Sequence, residues 1–125
     1  MSEAVVHVVD DDTAVRHSTA LMLELHGFLT RQWATGDALL DQEDLGQTGC
    51  ILLDLRMPGL DGLGVMRELR RRGIHLPVIL VTGHGDDATA GEAMQAHAFA
   101  FLEKPYDETL LVKLVSSAIA GGATS

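Results

Sequence analysis

With 125 residues, 46% of them hydrophobic, the chain has the material for one domain whose core needs no disulfide or structural metal. A net charge of -9 speaks against a surface that grips nucleic acid directly, which needs clustered Lys and Arg, and the single cysteine, Cys50, rules out an internal disulfide and fits a reducing, cytoplasmic setting. No apolar run reaches the roughly 18 residues of a membrane span, and no charged-then-apolar leader opens the chain, so no membrane association is expected.

In chain order, Ala4 to Val9 is a near-continuous apolar run, the pattern of a strand covered on both faces, and it leads into Asp10-Asp11-Asp12. His7 within it reads as a satisfied core histidine. Asp12, just ahead of Thr13-Ala14-Val15, is placed to cap a helix that carries Val15, Met22 and Leu23 and stops at Gly27. Phe28 to Trp33 is a weaker, outer strand, and residues 35 to 44 supply the next helix. Cys50 precedes a second strong strand, Ile51 to Leu53, and reads as a buried, inert thiol. That strand runs into Asp54 and then Leu55-Arg56-Met57-Pro58-Gly59, which stops it and leaves the carboxylate at a strand-to-loop junction. Leu63, Met66 and Leu69 stripe a helix ended by Gly73, and Arg67, Arg70, Arg71 and Arg72 near its end read as a solvated cap favoured by the helix dipole. Val78 to Val81 is the third strong strand, bounded by Pro77 and Thr82-Gly83. Residues 87 to 97 form a helix, Ala98 to Leu102 an outer strand that leads into Glu103-Lys104-Pro105, and Leu110, Leu111, Leu114, Val115, Ala118 and Ile119 share one face of a last helix. The alternation predicts an α/β domain over residues 1 to 120, a parallel sheet with right-handed crossovers and helices on both faces. Residues 121 to 125 have the composition of a tail or of the start of a linker.

Three apolar stretches thus end in charge: at Asp10-Asp11, at Asp54 and at Lys104. As neighbouring parallel strands they would bring several carboxylates and one ammonium to the sheet edge where open α/β folds bind ligands. Two carboxylates roughly 5 Å apart repel by about 3 kcal/mol at an effective dielectric near 20, more than one lysine can offset, which implies a hard divalent cation. Asp54 can serve as ligand or as nucleophile, and Thr82, with Gly83 and Gly85 beside it, can donate to an oxyanion. The Lys104-Pro105 bond is of the type with an appreciable cis population, and a cis turn would fix the ammonium's direction.

At Val8-Val9-Asp10-Asp11-Asp12, Leu53-Asp54-Leu55-Arg56-Met57-Pro58-Gly59, Val81-Thr82-Gly83-His84-Gly85 and Glu103-Lys104-Pro105-Tyr106 the chain resembles the receiver domain of bacterial two-component response regulators, nearest the nitrogen-fixation (FixJ-like) branch. The resemblance covers nearly the whole chain and implies a flavodoxin-like (CheY-like) fold with strand order 2-1-3-4-5. It implies that Asp54 accepts a phosphoryl group from a sensor histidine kinase, so that the chain is a phosphoacceptor assisting its own phosphorylation and dephosphorylation rather than an enzyme. It further implies Mg²⁺ (or Mn²⁺) on Asp11, Asp54 and the backbone carbonyl of Arg56, with Asp10 acting largely through water. Lys104 and Thr82 would take phosphoryl oxygens, and Tyr106 would enter the space that Thr82 leaves, altering the surface of the fourth helix, the fifth strand and the last helix and permitting a homodimer. Arg56 and His84 would tune the phosphoryl lifetime. His97 stands where receivers usually have Gly at positive φ, and with Gly91 it is expected to soften the helix over residues 87 to 97. The output is expected to be transcription regulation through an attached DNA-binding domain, with a stand-alone receiver that acts by docking as the alternative.

Two enzyme classes compete. Gly83-His84-Gly85-Asp86-Asp87-Ala88 satisfies a dinucleotide-binding fingerprint, but Asp86 and Asp87 would repel a pyrophosphate and the motif follows the fourth strand rather than the first. A phosphohydrolase of the haloacid-dehalogenase type needs a second Asp two residues after the nucleophile, where Arg56 stands.

Overall fold

The structure, a computed structural model, describes residues 4–42, 45, 48–57, 59–83, 91, 94, 95 and 97–124. Apolar runs at 5–9, 49–54 and 78–82 become strands β1 (Val5–Val9), β3 (Gly49–Asp54) and β4 (Val78–Thr82), each buried almost throughout. Flanking them are β2 (Leu29–Trp33) and β5 (Ala100–Glu103), more exposed as outer strands must be. All pairings are parallel, in the order β2-β1-β3-β4-β5. The expected fold class is therefore observed, and the ends of β1, β3, β4 and β5 lie side by side.

Each described crossover helix starts on a polar cap. Asp12 accepts from the Val15 amide ahead of α1 (Thr13–Leu25), Thr35 from Ala38 ahead of α2 (Gly36–Leu40), and Asp61 from Gly64 ahead of α3 (Gly62–Arg71). Gly27 and Gly73, at φ +93° and +78°, end α1 and α3 in the left-handed conformation that favours glycine. His97 takes the same conformation, φ +69°, at a cost of roughly 1 kcal/mol relative to glycine. Compared with the sequence reading, α2 is shorter than residues 35 to 44, with Asp41 as its C-cap, and the C-terminal helix (Glu108–Thr124) carries helical backbone through Gly121-Gly122 into the stretch read as a tail.

Two apolar layers cover the sheet. One joins Val9, Ile51, Leu53, Val78 and Leu80 to α2 and α3, with Phe101 packed against it. Its counterpart joins Val6, Val8, Cys50, Leu52, Ile79, Val81 and Leu102 to α1 and the C-terminal helix, with Tyr106 packed against it. Burial pushes the Cys50 thiol up to about 12, so it is inert at neutral pH, as expected. The arginine run is not the simple solvated cap expected of it. Arg70 donates to the carbonyls of Ile74 and Leu76, and Arg72 reaches the carbonyl of Leu40 at 2.7 Å, so these side chains hold the α3 exit and the end of α2. Arg71 and Arg72 also pair with Glu68.

α3 begins flush against β3. The Gly62 amide donates to the carbonyl of Leu55 at 2.8 Å, and a Cβ on Gly62 would fall 2.8 Å from the Asp54 carbonyl oxygen and from the Leu55 Cα. Only a residue without a side chain lets the helix start so close.

On β1, His7 is buried with both ring nitrogens used. Its Nε2–H donates to the Leu45 carbonyl at 3.2 Å, and Nδ1 accepts from the Trp33 indole N–H at 3.1 Å. Trp33 stacks on the imidazole, with centroids 6.2 Å apart, and carries the Arg31 guanidinium over its own ring at 4.8 Å. Burial above all, with the Arg31 charge, holds the imidazole below its ordinary pKa of 6.5 despite the bond to Leu45.

Candidate functional site

Strand alternation decides which side chains meet at the sheet edge. Asp10 is two residues beyond Val8, Asp54 two beyond Leu52 and Lys104 two beyond Leu102, and all three of those apolar residues lie in the α1-side layer. The three polar groups emerge on that side, where the strands run out. Lys104 Nζ lies 3.1 Å from Asp10 Oδ2 and 3.6 Å from Asp54 Oδ2. The other oxygen of each carboxylate is held by backbone: Asp10 Oδ1 accepts from the Asp12 amide at 2.9 Å, and Asp54 Oδ1 from the Arg56 amide at 3.3 Å. Arg16 on α1 donates to the Asp10 carbonyl at 2.8 Å, and the Lys104 amide donates to the Thr82 carbonyl at 2.7 Å, which joins the ends of β4 and β5.

Asp10 and Asp54 are 6% and 8% exposed, whereas Asp11 is open to solvent. Oxygens of the three carboxylates come within 4.8 Å of one another, so each pair repels by about 3.5 kcal/mol at an effective dielectric near 20. Burial, together with the Asp10 and Asp11 charges, raises the Asp54 pKa above its ordinary value, opposed by Lys104 and the Arg56 amide. Burial works against the charge on Lys104, but the hydrogen bond to Asp10 and the neighbouring carboxylates outweigh it and hold its ammonium above the usual lysine range. One ammonium among three carboxylates leaves net negative charge in a set of oxygen donors only. Such a set suits a hard cation of the Mg²⁺ kind rather than zinc or copper.

The residues expected in the site thus divide. Asp10, Asp11, Asp54 and Lys104 come together, and Arg56 stands beside them with its side chain exposed. Thr82 is fully buried at the end of β4, paired in register with Glu103. Asp12 stays outside the cluster as a cap, and the Lys104-Pro105 bond is cis. His84, the Gly85-to-Ala88 part of the fingerprint and most of the helix expected over 87 to 97 lie outside the described residues.

Tyr106 does not stand where the expected switch needs it. Its hydroxyl pairs with Thr19 Oγ1 of α1 at 3.1 Å, and its ring packs on the α1-side layer. Thr82 is two residues beyond Leu80, which lies in the opposite layer; of the aromatics packed against that layer, Trp33 and Phe101, it is Phe101 that lies on β5, the strand paired with β4. The sequence held the signal: Phe101 is an odd number of residues from Lys104 in the same strand run, so the two point to opposite faces. Thr19, in the middle of α1, carried no such signal.

Comparison with known proteins agrees with this fold. The family described as "Response regulator receiver domain" matches residues 6–116. The transcriptional regulatory protein FixJ of Azorhizobium caulinodans is 45% identical over 118 residues, 94% of this chain and 56% of that protein. The tetrathionate response regulatory protein TtrR of Salmonella typhimurium is 47% identical over 102 residues, 82% of this chain and 50% of that protein. The crystal structure of FixJ-N superimposes with a TM-score of 0.88 at 38% identity, covering 96% of both chains. The chain spans about half the length of the curated relatives it matches.

Proposed function

The chain belongs to the response regulator receiver domain family of two-component systems, and on that premise we propose that Asp54 accepts a phosphoryl group from a phosphohistidine of a sensor histidine kinase. A carboxylate oxygen of Asp54 attacks phosphorus in line with the departing imidazole; the O–P bond forms as the P–N bond breaks. Little covalent chemistry is left for the protein beyond positioning and charge. Asp54 is held at the end of β3 by the Arg56 amide, and Lys104, already within 3.6 Å, can pass from the carboxylates to a phosphoryl oxygen. Mg²⁺ or Mn²⁺ on Asp10, Asp11, Asp54 and the Arg56 carbonyl would neutralise phosphoryl charge when bound.

Readout would run through Thr82, placed one strand away from Asp54. A hydroxyl drawn toward the phosphoryl group would alter packing on its own face of the sheet, and the aromatic on the neighbouring strand of that face is Phe101. We assign the switch to Thr82 and Phe101 rather than to Thr82 and Tyr106. The altered surface, made by β5 and its neighbours, would serve for homodimerisation or an output step. The regulatory names of the relatives favour transcription control exerted through a further domain.

The observation that carries this reading is the near-buried Asp54 within reach of both Lys104 and two further carboxylates. Acetyl phosphate should label the protein in a Mg²⁺-dependent manner, Asp54→Asn should abolish the label, and phosphate esters should not be turned over. Labelling that survives Asp54→Asn would overturn the assignment.

A further inference from the structure

Behind the carboxylates, on the α1 side of the sheet, lies a cavity of about 10 Å³ whose polar lining is Asp10, Asp54, Lys104, Thr19 and Tyr106; apolar residues of β1, β3 and β4 make up the rest. That volume is about what one water needs, and five polar residues meet its demand for partners. The hydroxyls of Thr19 and Tyr106 face each other at 3.1 Å. In such a pair one hydroxyl spends its proton on the other, and the second proton is left to donate elsewhere. Among the side chains that line the cavity the apolar ones offer no acceptor, whereas the carboxylates offer only acceptors.

We propose that this cavity holds a single water that ties the Thr19–Tyr106 hydroxyl pair to the Asp54–Lys104 pair, making Tyr106 and Thr19 positioning residues for phosphoryl transfer. The water accepts a hydrogen bond from the spare hydroxyl O–H and donates one to a carboxylate of the site. Asp54 and Lys104 are then braced from below as well as by the Arg56 amide and Asp10. The two hydroxyls touch no reacting atom and act through the water. The rate effect rests on the phosphoacceptor reading; the water does not.

Tyr106→Phe and Thr19→Val each remove one oxygen and leave ring or branch in place. With acetyl phosphate and Mg²⁺, each should lower the saturated rate of Asp54 phosphorylation about threefold to tenfold, the scale of one lost hydrogen bond, with half-saturation unchanged. The double variant should lose no more than either alone, and Thr19→Ser should keep the wild-type rate. A high-resolution crystal structure should show the water in the wild type and lose it in Tyr106→Phe. A cavity without water, wild-type rates in both single variants, or additive losses in the double variant would overturn the proposal. If the wild type takes no label, the phosphoacceptor reading fails, and the crystallographic arm still decides on the water.

Discussion

Three residues apart, His7 on β1 and Asp10 just past its end show two ways to bury a polar group. His7 is neutral, with one nitrogen donating and the other accepting, and nothing of its capacity is left over. Asp10 is as deeply placed, yet it shares one ammonium with Asp54 and has a third carboxylate within 4.8 Å. The first arrangement is complete and can only hold β1, β2 and the segment at Leu45 together. The second carries uncompensated charge, and that surplus is what leaves it able to bind and react. Burial alone does not mark a functional group; burial with an unbalanced account of charge does.

Four tests would break or sharpen this contrast. At the acidic end, Asp10→Asn should weaken Mg²⁺ binding by about a hundredfold, read by calorimetric titration, because the donor set loses a full charge. The same change should raise the melting temperature measured without metal, since a repulsive pair is gone; a lower one would mean that the carboxylates stabilise the fold. At the neutral end the effect should fall on stability instead. His7→Leu leaves the Trp33 indole N–H and the Leu45 carbonyl without their partner and should cost about 2 kcal/mol in denaturant unfolding, with labelling by acetyl phosphate intact.

The third test uses pH. Because the folded state holds His7 below 6.5, the unfolded chain binds more protons once pH falls under that value. The contribution from the neutral imidazole is present above the unfolded value near pH 6.5 and should decline as pH falls below it. His7→Leu should remove that slope. The smallest effect is expected at Arg56, whose side chain is exposed two residues past Asp54: if it shields a phosphorylated Asp54 from water, Arg56→Ala should speed autodephosphorylation about threefold, or roughly 0.6 kcal/mol. An unchanged or slower rate would rule out shielding by Arg56.

Much of this was legible in the chain itself. Continuous apolar runs mark β1, β3 and β4 because strands covered on both faces have no polar side to show. Asp12, Gly27 and Gly73 mark helix ends because capping is chemistry among near neighbours in sequence. The carboxylates and Lys104 could be gathered because each closes an apolar run. What stayed hidden depends on partners far away in sequence. Nothing near Arg72 announces the carbonyl of Leu40, 32 residues away, and nothing near Tyr106 announces Thr19, 87 residues away. Phe101 is a different case, since the two-residue period of its strand was enough to set it opposite Lys104.

The missing side chain at Gly62 has a consequence for anyone who transplants this site. With helix and strand in backbone contact there, the stretch from Asp54 to Gly62 forms an indivisible cassette. A chimera that imports Asp54 and its loop but takes its helix start from a host carrying alanine would wedge the two elements apart beside Asp54. The practical cut sites are therefore upstream of β3 and beyond the first turn of α3, with everything between moved together.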